Sequence, residues 1–88
     1  MVSNVREARR TLATPTFVWD GGCLNYADVQ YESKGTGHTL ESCNSECHKL
    51  DWCTHSSMKN SDNTCLVFAS GCTRNANDSA VWKFYKSV

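Results

Sequence analysis

Thr39-Leu40-Glu41-Ser42-Cys43-Asn44-Ser45-Glu46-Cys47-His48-Lys49-Leu50 is the stretch on which the fold turns. Threonine caps helices well because its hydroxyl accepts from a backbone N–H that the first turn leaves unpaired. Glu41 falls in that turn, where the helix dipole favours an acid. Leu40, Cys43, Cys47 and Leu50 recur at i, i+3, i+7 and i+10, which is one stripe of a helix. Ser42, Asn44, Ser45, Glu46 and His48 fall on the other faces, and Lys49 suits the last turn. Both helical cysteines are therefore expected to point inward, as anchors to a layer beneath the helix.

The segments on either side read as strands. Cys53 to Lys59 is one candidate, Asn60-Ser61-Asp62-Asn63 is a turn cluster, and Thr64-Cys65-Leu66-Val67-Phe68-Ala69 is the strongest β run in the chain. Ser70-Gly71 closes it, and Thr73 to Ser79 is a polar loop. Ala80 to Lys86 is a last strand, with Trp82 and Phe84 on one face and Val81, Lys83 and Tyr85 on the other. Upstream, Thr16-Phe17-Val18-Trp19 is β-prone and ends at Asp20-Gly21-Gly22. Cys23 to Tyr31 reads as a weak strand with Leu24 and Tyr26 at alternating positions, and Ser33 to Gly37 as a loop. The expected architecture is α+β: one helix packed on a four- to five-stranded antiparallel sheet, stapled by three disulfides.

Composition sets the class. The 88 residues make one domain, whose core is marginal without staples. Six cysteines, all between Cys23 and Cys72, supply an even number of thiols for disulfides, the usage of an oxidising and extracellular compartment. Nine Lys and Arg balance nine Asp and Glu, which argues against a nucleic-acid partner needing a basic face. No apolar run approaches the ~20 residues of a membrane span. Residues 1–15 read as an N-terminal arm or linker ahead of a domain at 16–88. Asn4 can cap a short helix carrying Val5, Ala8 and Leu12, which the Thr14-Pro15 step stops. Arg6, Arg9 and Arg10 and the lack of an apolar stretch argue against a secretion leader, so a mature form or an excised domain is expected.

The order Thr39-Leu-Glu-Ser-Cys43-x3-Cys47-x5-Cys53-x11-Cys65-Leu-Val, followed by Trp82-Lys83-Phe84-Tyr85-Lys86, resembles the PAN/apple domain family over residues 16–88. Spacing alone leaves fifteen pairings of six cysteines open. The resemblance implies Cys47–Cys53 and Cys43–Cys65, with Cys23 and Cys72 joining the terminal regions. Cys72 departs from the family pattern in being followed by sixteen residues. Modules of this kind are non-catalytic and bind proteins or carbohydrates in extracellular and adhesive proteins, so the expected partner is a protein or a glycan.

Other chemistries find little in the chain. Cys43, Cys47, His48, Cys53 and His55 lack the second knuckle of a zinc site, Cys-x-x-Cys is absent, and the acids are scattered rather than paired. No catalytic residue, metal or cofactor is assigned. The aromatics are the best binding chemistry, because a flat apolar face with a polar edge stacks on sugar rings and anchors interfaces. Trp52 is expected to be structural. Tyr31, beside a loop, and Tyr85, opposite the Trp82/Phe84 face, are the candidates for exposed ligand-binding residues. Asn77-Asp78-Ser79 is an N-glycosylation sequon in a polar loop, making Asn77 the glycosylation candidate. Two alternatives stand beside the recognition module. One is a structural subunit of an extracellular filament or surface coat that self-assembles through residues 1–16 as an inter-subunit arm. The other is a small secreted toxin or effector.

Overall fold

In a computed structural model, which describes residues 13–88, the Thr39 hydroxyl accepts from the Ser42 N–H at 3.0 Å. The Ser42 hydroxyl accepts from the Thr39 N–H at 3.0 Å, so the two residues cap each other. Helix α1 then runs from Leu40 to His48. Its Cys43 and Cys47 are 0% exposed, with Leu40 and Leu50 packed beside them, as the stripe predicts.

The described residues also form seven strands: β1 (Thr16–Asp20), β2 (Gly22–Cys23), β3 (Tyr31–Ser33), β4 (His55–Lys59), β5 (Cys65–Phe68), β6 (Arg74–Asn75) and β7 (Trp82–Lys86). Five form one antiparallel sheet in the order β1-β7-β4-β5-β3, while β2 and β6 pair as a small separate ribbon. Among the described residues the fold is thus α+β, with one α-helix, a five-stranded antiparallel sheet and three disulfides.

Strand alternation gives the sheet two buried faces. Ser56 lies opposite Val67 and Tyr85, and Met58 opposite Cys65, on the face beneath α1. Ser57 lies opposite Leu66 and Phe84, and His55 opposite Phe68, on the other face. That second face is covered by the β2–β6 ribbon and its flanking loops. Its core is Phe68 and Phe84, each 1% exposed, with Trp19 stacked on Phe84 at 4.6 Å between centroids. Fully burying a side chain of that size contributes about 1.5–3 kcal/mol.

The disulfides divide between the two layers. Cys43–Cys65 ties α1 to β5, and Cys47–Cys53 ties α1 to the segment leading into β4. Cys23–Cys72 closes the loop layer on the opposite face. These are the pairs that the resemblance implies.

Three expectations are corrected. Tyr85 is buried at 7%, not exposed, because the face opposite Trp82 and Phe84 lies under the helix rather than in solvent. Asn44, expected on an outer helix face, is 0% exposed. Its amide donates to the Ala13 and Val88 main-chain oxygens at 3.4 and 3.2 Å and accepts from the Val88 N–H at 3.2 Å, so one side chain gathers both ends of the described chain onto the helix. Cys23 to Tyr31 is no continuous strand: β2 ends at Cys23, a 3-10 turn spans Tyr26–Asp28, and β3 starts at Tyr31. Asn25 imposes the break, donating to the Gly71 carbonyl at 2.9 Å and accepting from the Thr73 N–H at 2.9 Å.

The helix expected after Asn4, the arginines at 6, 9 and 10, and most of the arm at 1–15 lie outside the described residues. Of that arm, Ala13 meets Asn44, the Thr14 hydroxyl donates to Glu41 at 2.9 Å, and Pro15 is buried. Among the described residues no helix is long and apolar enough to cross a membrane.

Candidate functional site

A cavity of about 240 Å³ opens between the second sheet face and the loop layer. Its floor is sheet: Ser57 from β4 with Leu66 and Phe68 from β5. Its walls are rings, Tyr26 and Tyr31 on one side and Trp82 on another. Tyr31 stacks on Phe68 at 5.5 Å, and Tyr26 meets Tyr31 edge-on at 5.9 Å. Both tyrosines keep a large open face, at 54% and 41% exposed. The sequence candidate Tyr31 therefore sits at this site, whereas Tyr85 lies on the far side of the sheet.

The polar wall comes from the second half of the chain. Asp78, in the 3-10 turn Ala76–Asp78, accepts from the Gly22 N–H at 2.8 Å through Oδ1 and from the Asn75 side-chain amide at 3.3 Å through Oδ2. Those bonds aim its carboxylate while leaving lone pairs on both oxygens for a further donor. Asp78 is the one charged side chain among the described residues that line the cavity. Cys23 lines it too, so the Cys23–Cys72 bridge holds part of the wall. Asn77, the sequon asparagine beside Asp78, is exposed.

The Ser57 hydroxyl carries the sharpest anomaly. It is 1% exposed and has no hydrogen-bond partner among the described residues. Ser56 shares that state on the helix side but does not line the cavity. Nothing local in the sequence announces Ser57, Asn75 or Asp78 as site residues. The available signal was a Ser-Ser pair inside a predicted strand, which places a hydroxyl on each buried face.

His55 stacks on Phe84 at 5.3 Å, adjacent to the cavity floor, and its Nδ1 lies 2.7 Å from the Thr54 hydroxyl. Burial, with Lys86 opposite, holds its imidazole below the ordinary 6.5. In the window between the two values the unfolded chain binds more protons, so stability rises with pH there and is lost as pH falls through about 6.5. Thermal melts from pH ~7.5 to ~5.5 should show Tm dropping, and His55→Gln should flatten that slope. An unchanged slope in the variant would assign the effect elsewhere.

Ser42 and His38 also approach, Oγ to Nδ1 at 2.9 Å, with His38 Nε2 2.8 Å from the Lys34 carbonyl. That carbonyl only accepts, so Nε2 carries a proton, while the Ser42 hydroxyl also lies 3.2 Å from the Thr39 carbonyl, to which it donates. The hydroxyl is meanwhile the acceptor for the Thr39 N–H, so the pair serves the helix cap. All six thiols are joined in bridges, and among the described residues no three His, Cys, Asp or Glu side chains converge as a metal site. No family model matches the chain, and no curated protein or solved structure matches it.

Proposed function

We propose that the protein is a non-catalytic extracellular recognition module of the PAN/apple type that binds carbohydrate in the aromatic cavity between sheet and loop layer. The observation that carries this reading is the pairing of open tyrosine faces with an oriented carboxylate around one small cavity. A sugar ring needs that combination, an apolar surface for its C–H face and acceptors for its hydroxyls at the edge. Binding is favoured over cleavage because glycoside hydrolysis uses two carboxyl groups flanking the bond, and Asp78 stands without a second acid among the described lining residues. Three disulfides in so short a chain suit an oxidising, extracellular setting. The PAN/apple assignment draws on the helix whose two cysteines tie it to β5 and to the segment before β4.

Probing a glycan array with the intact oxidised chain tests the reading. Wild type should retain a defined subset of glycans. Tyr31→Ala should lose at least about fivefold, since truncating an aromatic anchor of this kind costs over 1 kcal/mol. Phe17→Ala, exposed on the edge strand β1 and outside the cavity, should bind as wild type does. A silent array, or retention indifferent to Tyr31, sinks the carbohydrate reading and leaves a protein ligand.

A further inference from the structure

We infer that the cavity takes the ring of an amino sugar whose amine is free, a hexosamine bound as its ammonium, and that the Asp78 carboxylate selects it by charge. This inference rests on the carbohydrate reading above and names the sugar class and the residue that chooses it.

Charge carries the first step. Asp78 is the one charged side chain among the described residues that line the cavity, and its two donors, the Gly22 N–H and the Asn75 amide, are both neutral. The ion pairs among the described residues join Glu32 to Lys34, Glu46 to Lys49 and Asp20 to Lys83, so none of them offsets Asp78. Arg74, the basic residue of the same ribbon, donates through Nε to the Asp20 carbonyl at 2.9 Å. An acid without a cationic partner thus stands at the wall of an aromatic cavity. Its charge acts over several ångströms and needs no direct contact with a ligand to favour a cation.

The rings favour the same sign. Tyr26, Tyr31 and Trp82 wall the cavity, and the faces of tyrosine and tryptophan attract a cation within about 6 Å. Acid and indole come together at Gly22. A Cβ built on that residue would lie 3.1 Å from Asp78 Oδ2 and 3.5 Å from Trp82 Cγ. Gly22 is not among the glycines at positive φ, so glycine here serves close approach rather than backbone conformation. It leaves no side chain of its own between carboxylate and indole.

Size and sugar chemistry complete the assignment. About 240 Å³ is below the ~300–1,000 Å³ typical of pockets for drug-sized ligands, which suits one ring. N-acetylation turns the ammonium into a neutral amide, and a uronate brings a second negative charge toward Asp78, so neither gains the attraction.

The test is amide-resolved NMR titration of the intact oxidised chain at about pH 6, where amines carry their proton and carboxylates do not. The probes are the methyl glycosides of glucosamine, N-acetylglucosamine and glucose, with glucuronate and Nα-acetyl-lysinamide. Methyl glucosaminide should shift the amides of Gly22, Tyr31 and Asp78 and bind at least about tenfold more tightly than its acetylated and neutral counterparts. Glucuronate should leave them unmoved. Asp78→Asn removes the charge, keeps an oxygen for the Gly22 N–H, and should erase that preference. A merely structural Asp78 would move the melting temperature and leave the preference intact. Equal binding of the acetylated or neutral glycoside by wild type, or a preference that survives in folded Asp78→Asn, overturns the inference. The wild-type series decides by itself if Asp78→Asn does not fold. If the array shows Tyr31-dependent retention of glycans and the titration shows no ammonium preference, the amino-sugar inference fails while the carbohydrate reading stands. If neither array nor titration registers a sugar, both fall, and a shift by the lysinamide then marks a protein ligand with a basic side chain.

Discussion

Replacing Cys43 and Cys65 together by alanine is expected to lower the unfolding free energy by about 4 kcal/mol, roughly twice the loss from the Cys47/Cys53 pair. The bridge between Cys43 and Cys65 closes 22 residues of separation, and restricting the unfolded chain over that length contributes about 3.4 kcal/mol. The Cys47–Cys53 bridge spans only 6 and contributes about 2.2 kcal/mol on the same basis. Packing widens the gap. Cys43 and Cys65 are both 0% exposed at the joint between α1 and β5, so the missing sulfurs leave a defect the layers fill only in part. A chain of this length commands about 4–13 kcal/mol in all, so the Cys43–Cys65 bridge holds roughly three-tenths of its stability or more. Urea unfolding of the two double variants, each with its remaining bridges confirmed by mass, reads the difference directly. Equal midpoints, or a costlier Cys47/Cys53 loss, would mean that α1 is held to the sheet by its apolar stripe and not by this crosslink.

What could be read from the sequence was local, and what could not be read depended on residues far away in the chain. The helix is legible because its cap, first-turn acid and apolar stripe lie within twelve positions, and the structure places Thr39, Cys43 and Cys47 as that pattern requires. Asn44 is not, because its partners Ala13 and Val88 stand 31 and 44 positions away, and a polar residue off the stripe defaults to solvent. Alternation in Ala80–Lys86 separates Trp82 and Phe84 from Tyr85 correctly. It is silent on whether the far side is covered, and a sheet with cover on both sides buries both sets. The same gap hides the cavity. Tyr31 could be proposed from its place beside a loop, yet Ser57 and Asp78 become site residues only when Asn25, Thr73 and the Cys23–Cys72 bridge fold the loop layer over the second face. Asn25 lies 48 positions from Thr73, and no window along the chain joins them.

Gly21→Ala is expected to cost on the order of 3 kcal/mol and to remove ligand binding at the cavity with it. Gly21 holds φ at +118°, a conformation L side chains rarely adopt. A Cβ there would also overlap the Asn75 carbonyl oxygen, which is backbone and has little freedom to retreat. The residue bridges β1 and β2 where the chain leaves the main sheet for the ribbon, and its N–H donates to the Trp82 carbonyl at 2.7 Å. Relieving the overlap means moving Asn75 or Gly21, and either motion acts on the site. Asn75 steadies the Asp78 carboxylate, Gly22 donates to its other oxygen, and β2 pairs with β6 through Gly22 and Asn75. Backbone strain at Gly21 thus reaches the acid that is aimed into the cavity. Thermal unfolding and sugar titration on one sample separate the parts. A lowered Tm with binding lost in the still-folded protein supports the coupling. Normal binding by a destabilised but folded Gly21→Ala would show that Asp78 is positioned independently of this turn.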